Sequence, residues 1–227
     1  MLPDIVLQTD FGLTTGFVAS MYGVIRMVDQ SLDVFDLNHE IRPFDMRQGS
    51  FLLRDTIPYW KGGTVFVSVV DPGVGTARRG CVAKLNNGSF VVTPDNGSLT
   101  AILDRVVAVR EIDESVNRLK GSDKANSFHG RDVFAYTAAR LASGIINFEG
   151  VGPEYPVNEI VTFETTHGTV APGRAEGEIA GCTKHFGGVG TNIDVDEFEK
   201  TGIVYGDMTH VTIVKNGETL FDRDVLY

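Results

Sequence analysis

The sequence predicts an α/β domain with a mostly parallel sheet over residues 1–150, a connection over 151–164, and a small all-β, barrel-like domain over 165–227. Two observations carry that expectation. Before Gly150, short β-branched runs alternate with stretches whose apolar residues recur at helical spacing. After Gly150-Val151-Gly152-Pro153, short runs separated by glycine turns take over and no long helix is evident.

The elements follow in order. Ile5-Val6-Leu7 reads as a strand leading into Thr9-Asp10-Phe11-Gly12. Phe17, Met21, Val24, Ile25 and Val28 mark a helix between Gly16 and Asp29. Leu32 to Leu37 alternates as a strand, and Arg47 to Trp60 reads as a second helix with Pro58 near its end. Gly62-Gly63 then opens Thr64 to Val70, a buried strand that completes a βαβαβ series. Cys81–Leu85 and Phe90–Thr93 flank Asn86-Asn87-Gly88, a strong hairpin signal. Asn96 to Leu103 can form a helix, Arg105 to Ile112 a strand, and polar residues Asp113 to Ser127 a loop or frayed helix. Asp132 to Leu141 returns to helical spacing through Val133, Phe134, Thr137, Ala138 and Leu141. Beyond the connection, strands are expected at Gly173–Ala180, Thr191–Val195, His210–Lys215 and Thr219–Arg223.

The totals limit the function. A chain of 227 residues with 42% hydrophobic and 22% charged residues is ordinary for a globular protein. A net charge of −10 argues against nucleic acid or an anionic membrane as the main partner and is compatible with a cationic small molecule. The two cysteines, Cys81 and Cys182, show no CxxC spacing, so neither a disulfide framework nor a metal site is indicated. The first ten residues lack the pattern of a signal peptide, and no run approaches the roughly 18 apolar residues of a membrane span. The expectation is a cytoplasmic protein with no membrane partner.

The richest stretch is Val70-Asp71-Pro72-Gly73-Val74-Gly75-Thr76-Ala77-Arg78-Arg79. It places an acid at the carboxyl end of a buried strand, where open α/β sheets bind ligands. Arg78, seven residues on, reads either as the functional counter-ion of Asp71 or as a structural brace of the loop. Gly73-x-Gly75 lacks the remaining residues of a phosphate loop or a dinucleotide fingerprint. Asp10 stands at the first strand end, suited to accept hydrogen bonds from a ribose diol and equally suited to cap the next helix. Phe128-His129-Gly130-Arg131-Asp132 opens a helix. His129 there feels the positive end of the dipole, which favours its neutral form, or it is a structural histidine beside an Arg–Asp capping pair. Gly130 allows close approach to the backbone. Pro94-Asp95-Asn96-Gly97 is a turn-plus-cap signature. Phe44 and Trp60 read as core or rim aromatics, and either could cover a flat base.

In this order, Thr9-Asp10-Phe11-Gly12, Val70-Asp71-Pro72-Gly73-Val74-Gly75-Thr76, Pro94-Asp95-Asn96-Gly97 and Phe128-His129-Gly130-Arg131-Asp132 resemble the S-adenosyl-L-methionine (SAM) hydroxide adenosyltransferases. These adenosine-forming SAM hydrolases share a fold with the bacterial fluorinase and chlorinase. The resemblance is strong over residues 4–150 and weak beyond. It implies a C-terminal β-barrel, a homotrimer with SAM bound between neighbouring subunits, and SAM as substrate with no separate cofactor. It further implies that Asp71, Arg78 and His129 handle an attacking water, and that Asp10 binds the ribose diol. Phe44 would lie beside sugar and base, Gly130 would line the nucleophile pocket, and Asn96 would join the binding site. The halogenating relatives carry Tyr where this chain has Asp71, and the fluorinase has a long loop that is missing after Arg79. Both differences favour water over halide. The C-terminal motif departs from the family's acid before Phe-Gly-Asn, then Thr-Asn. Here Thr183-Lys184-His185-Phe186-Gly187-Gly188 precedes Thr191-Asn192, so Phe186 and Asn192 remain as candidate binding residues while the acid and an Asn are replaced. The family pattern also continues past Tyr227. A halide-dependent adenosyltransferase and a non-catalytic SAM or adenosine sensor are the alternatives.

Overall fold

A computed structural model describes residues 2–124, 126–183 and 185–227. The chain divides into two compact units, Met1–Phe163 and Glu164–Tyr227.

In the first unit, β1 (Ile5–Thr9), α1 (Phe17–Val28), β2 (Val34–Asn38), α2 (Met46–Thr56) and β3 (Val65–Val69) appear in the order the periodicity predicts. A 3₁₀ turn over Ile57–Tyr59, with Pro58 inside it, ends α2. The hairpin strands β4 (Gly80–Leu85) and β5 (Phe90–Pro94) follow, then a 3₁₀ helix (Thr100–Arg105) that overlaps the helix expected over Asn96 to Leu103. β6 (Val106–Glu111) leads through a turn-rich segment to a helix in two parts. Its first part, Gly130–Ala135, is wound as a π-helix, and Tyr136–Ala142 continues it as α3. β7 (Glu154–Tyr155) and 3₁₀ turns occupy part of the segment read from sequence as a connection.

The sheet order is β2-β1-β3-β5-β4-β6-β7. β1 runs parallel to β2 and β3, and β3 to β5, but β4 is antiparallel to β5 and β6, and β6 to β7. The sheet is therefore mixed, which corrects the expectation of a mostly parallel one. The tight turn after Leu85 forces its two strands antiparallel, and from β5 outward each strand runs opposite to its neighbour. Two cores cover the sheet. On one face Met21 and Ile25 of α1 pack with Val133, Phe134 and Ala138 over Leu7, Val65 and Val67. On the other, Leu53 of α2 and Ile102 pack over Val6, Phe66 and Val91. With α1 and α2 on opposite faces, the chain reverses direction of winding between β1 and β3, which opens a crevice beyond the carboxyl ends of those strands.

The second unit holds three separate two-stranded antiparallel ladders. These pair β8 (Thr169–Ala171) with β9 (Arg174–Glu176), β10 (Ile179–Thr183) with β11 (Gly188–Thr191), and β12 (Met208–Lys215) with β13 (Glu218–Leu226). Among the described residues these are hairpins rather than a closed barrel, a second correction. The strand expected over Thr191–Val195 is a third. It ends at Thr191, because Asp194 accepts from the Asp196 and Glu197 amides and caps α4 (Val195–Phe198).

Candidate active site

Strands β1, β3 and β5 are adjacent and parallel, so their carboxyl ends share one edge of the sheet. Asp10, Asp71 and Asp95 stand just past those ends. After β3 the chain turns at once, with the Val74 amide donating to the Asp71 carbonyl and the Thr76 amide to the Gly73 carbonyl. Gly75 closes the turn at φ +76°, where a side chain would be strained and its Cβ would lie 2.9 Å from the Asn126 carbonyl oxygen.

The turn delivers Arg78 back onto Asp71. Arg78 Nε donates to Asp71 Oδ1 at 2.9 Å and to Oδ2 at 3.1 Å, and Nη2 donates to Oδ2. The same Nη2 donates to His129 Nδ1 at 2.9 Å. The guanidinium also lies over the Phe134 ring, 5.2 Å from its centre. Arg79 goes elsewhere: its Nε donates to Asp95 Oδ2 at 3.1 Å and its guanidinium stacks on Tyr155. Consecutive residues of an extended segment point to opposite sides, so the two arginines serve two different acids.

Asp71, Arg78 and His129 have side chains only 5, 10 and 5% exposed. His129 opens the π-wound turn, an irregularity often found where a helix serves a site. Burial, aided by Arg78 and Arg118, pulls the His129 pKa below 6.5 against the opposing pull of Glu114 and Asp71. Arg78 can only donate, so Nδ1 carries a lone pair and the ring proton sits on Nε2. That Nε2 and the Arg78 Nη1 are both buried without a hydrogen-bond partner. Buried N–H groups of this kind are costly unless something polar meets them. The residues therefore form a preformed, charge-balanced set, with one carboxylate able to accept and two N–H groups able to donate.

Asp10 lies on the same edge. Its Oδ2 accepts the Phe44 amide at 2.9 Å, and Phe44 is held at φ +66° with its ring exposed. A non-glycine residue in that conformation is uncommon and marks an imposed turn. Arg42, Pro43, Phe44, Asp45, Met46, Arg47 and Phe163 line an open groove of about 400 Å³ beside it. Gly130 is buried, and a Cβ there would come 3.0 Å from the Phe11 ring and 3.3 Å from Phe128. Phe11, Phe17 and Phe128 form an edge-to-face trio around it.

The other candidates are placed differently. The Asn96 side chain donates to the Val70 carbonyl at 2.9 Å and accepts from Ser98, bracing the strand end. Trp60 packs edge-on against Phe66 and beside Phe35 as a rim aromatic. Phe186 and Asn192 belong to the second unit. There Phe186 is 92% exposed and Asn192 bridges Thr166 and the Glu178 amide. Lys184 lies outside the described residues. Sequence reasoning passed over Glu114 and Arg118, which are ion-paired at 2.7 Å with a Glu114 oxygen 4.0 Å from His129 Nδ1. They sit in a polar segment without periodicity, and nothing local marks them. Among the described residues no group of three or more His, Cys, Asp or Glu could hold a metal ion, and no helix is long and apolar enough to cross a membrane.

Fold and site together define an α/β protein with a buried acid–arginine–histidine set at the carboxyl edge of its sheet. The family model for the SAM hydroxide adenosyltransferase N-terminal domain matches residues 5–152, and the chain belongs to that family. It is 44% identical over 146 residues to the (R)-S-adenosyl-L-methionine hydrolase of Salinispora arenicola, covering 63% of this chain and 54% of that protein. The counterpart from Methanocaldococcus jannaschii is 33% identical over 201 residues, covering 87% and 69%. The crystal structure of an uncharacterized conserved protein from Thermotoga maritima superposes with a TM-score of 0.86 at 33% identity, covering 98% and 82%. The chain spans about half the length of the first two curated relatives it matches.

Proposed function

We propose that this protein hydrolyses SAM to adenosine and L-methionine, residues 1–163 carrying the chemistry. Water attacks the ribose C5′ in line with the sulfur, the C5′–S bond breaks, and the electron pair leaves with neutral methionine. One proton is released. A sulfonium is already a good leaving group, so the protein has to supply position and a sheltered, oriented water. Asp71 accepts a hydrogen bond from that water and then its proton. Arg78 holds the carboxylate in a fixed plane by its two-point contact. His129, neutral, donates a hydrogen bond from Nε2 to the attacking oxygen and keeps its proton. Asp10 takes the ribose diol, with Phe44 beside the sugar.

The observation that carries this reading is the run of contacts from the Asp71 carboxylate through Arg78 to a neutral His129, in which Arg78 Nη1 and His129 Nε2 are buried and still free to donate. Those donors also suit a halide, but a carboxylate in the same pocket repels one. Incubating SAM with the protein, with and without chloride, and separating the products tests the reading. Adenosine is the expected product. Chloride-dependent 5′-chloro-5′-deoxyadenosine would make it a halide adenosyltransferase, and tight nucleoside binding without turnover would make it a sensor.

We also propose that the working form is a homotrimer in a cytoplasmic setting. Among the described residues of the second unit no apolar side chain is buried, and Ile179, Phe186, Met208, Leu220 and Leu226 are exposed. So much uncovered apolar surface calls for a partner, and a second copy of the chain supplies one. Cys81 and Cys182 are both free thiols, in keeping with a reducing compartment. Light scattering on the purified protein reads the stoichiometry directly.

A further inference from the structure

Outside the acid–arginine–histidine set, one polar chain that runs from the surface into the core has no part in the chemistry above. Tyr22 Oη donates to Asp36 Oδ1 at 2.6 Å, and His39 Nε2 meets the same oxygen at 2.8 Å. His39 Nδ1 meets Thr9 Oγ1 at 2.8 Å, and Thr9 Oγ1 accepts the Phe11 amide at 3.2 Å. A carboxylate only accepts, so Nε2 donates to Asp36 and Nδ1 accepts the Thr9 hydroxyl proton. A hydroxyl, an imidazole and a carboxylate in series have the form of a nucleophile relay. Thr9 is fully buried, so its oxygen cannot reach a substrate. The chain must serve another purpose.

Its position supplies that purpose. His39 grips the loop after β1 twice: the ring holds Thr9, and the His39 carbonyl accepts the Gly12 amide at 2.8 Å. Asp10 sits between the two anchors. The edge strand is shaped for this grip, because Leu7 pairs with Asp36 but Gln8 pairs with Asn38, so Leu37 is skipped. An irregularity of this kind re-aims the side chains beyond it, here His39, which is brought back over Asp36 on the near side of the skip. Asp10 gives one lone pair to the Phe44 amide, and a carboxylate has about four to offer. What remains can accept both hydroxyls of a diol only if the loop is held in one orientation.

We propose that His39 is a positioning residue: through Thr9 and Gly12 it fixes the Asp10 carboxylate so that the site discriminates for an intact ribose diol. The inference rests on Asp10 being the diol ligand. Hydrogen bonds from a sugar hydroxyl to a charged acceptor separate adenosine from 2′-deoxyadenosine by about tenfold to a hundredfold in affinity. Titration calorimetry with these two nucleosides on wild type, His39→Ala and His39→Asn reads the ratio.

In His39→Ala the ratio falls below about threefold. The KM for SAM rises about tenfold or more, while kcat falls by less than about threefold. In His39→Asn, whose side-chain oxygen replaces Nδ1 as acceptor for Thr9, much of the ratio returns. A folded His39→Ala protein that keeps the wild-type ratio overturns the role of His39 and leaves Asp10 in place. A wild type that binds both nucleosides equally removes the Asp10 assignment and the His39 role with it. Should His39→Ala not fold, Asp36→Asn loosens the same grip from its half-exposed end and is read by the same ratio.

Discussion

Replacing Asp71 by Ala tests the site most directly. The carboxylate receives three N–H contacts from Arg78, and both side chains are at least nine-tenths buried. Removing one member of such a pair strands the other charge and costs about 3–5 kcal/mol. For a chain of this size that lowers Tm by about 6–20 °C. Loss of a positioned base lowers turnover by about 10²–10⁴, or roughly 3–5 kcal/mol of barrier. Affinity for SAM should move far less, because Asp71 acts on the water. Stability and chemistry then need to be separated. In Asp71→Ala/Arg78→Met both charges are gone, so stability recovers to well above the sum of the two single losses. Turnover does not recover. Thermal unfolding and chromatographic release of adenosine from SAM read both quantities on the same preparations. The reasoning is refuted if Asp71→Ala turns over within about threefold of wild type, or if the double variant is as unstable as the two single losses added.

Three further outcomes follow. His129 has a folded pKa below 6.5, so between that lower value and 6.5 the unfolded chain binds more protons. Stability therefore falls as pH drops through about 6.5 and levels off below the folded pKa. Turnover falls on the same acid limb as imidazolium loses the Arg78 hydrogen bond, and both effects should flatten in His129→Asn, followed by thermal melts and rates from pH 5 to 8. Gly130→Ala pushes a methyl against Phe11 and Phe128 and should cost about 1–3 kcal/mol while depressing turnover through the neighbouring His129; unchanged stability in a denaturant titration contradicts the packing. Burial raises the Cys81 thiol to about 12 and Cys182 is exposed, so a thiol reagent should modify one cysteine in the native protein and two after denaturation. Rapid modification of both under native conditions would mean that β4 opens readily.

Local pattern was enough to read the first half of the fold. The helical spacing of Phe17, Met21 and Ile25 and the β-branched run before Asp71 are properties of neighbouring residues, and neighbours alone decide whether a segment winds or extends. The same holds for the strand-end acids Asp10 and Asp71, which stand beyond apolar runs that must be buried. The two-residue periodicity of a strand carries no information about its direction relative to a strand far off in sequence. So the reversal at β4, which makes the sheet mixed, appeared only in the assembled sheet. Sequence could rank Arg78 and Arg79 only by resemblance; their division between Asp71 and Asp95 follows from the extended backbone before Gly80. The proton on His129 Nε2 depends on a guanidinium 51 residues away in the chain. The chain from Tyr22 through Asp36 and His39 to Thr9 depends on a skipped residue in an edge strand. Composition and spacing determine which segments form and which charges stand at their ends; only the packing of distant segments decides which of those charges meet, because burial makes a partner obligatory without naming it in sequence.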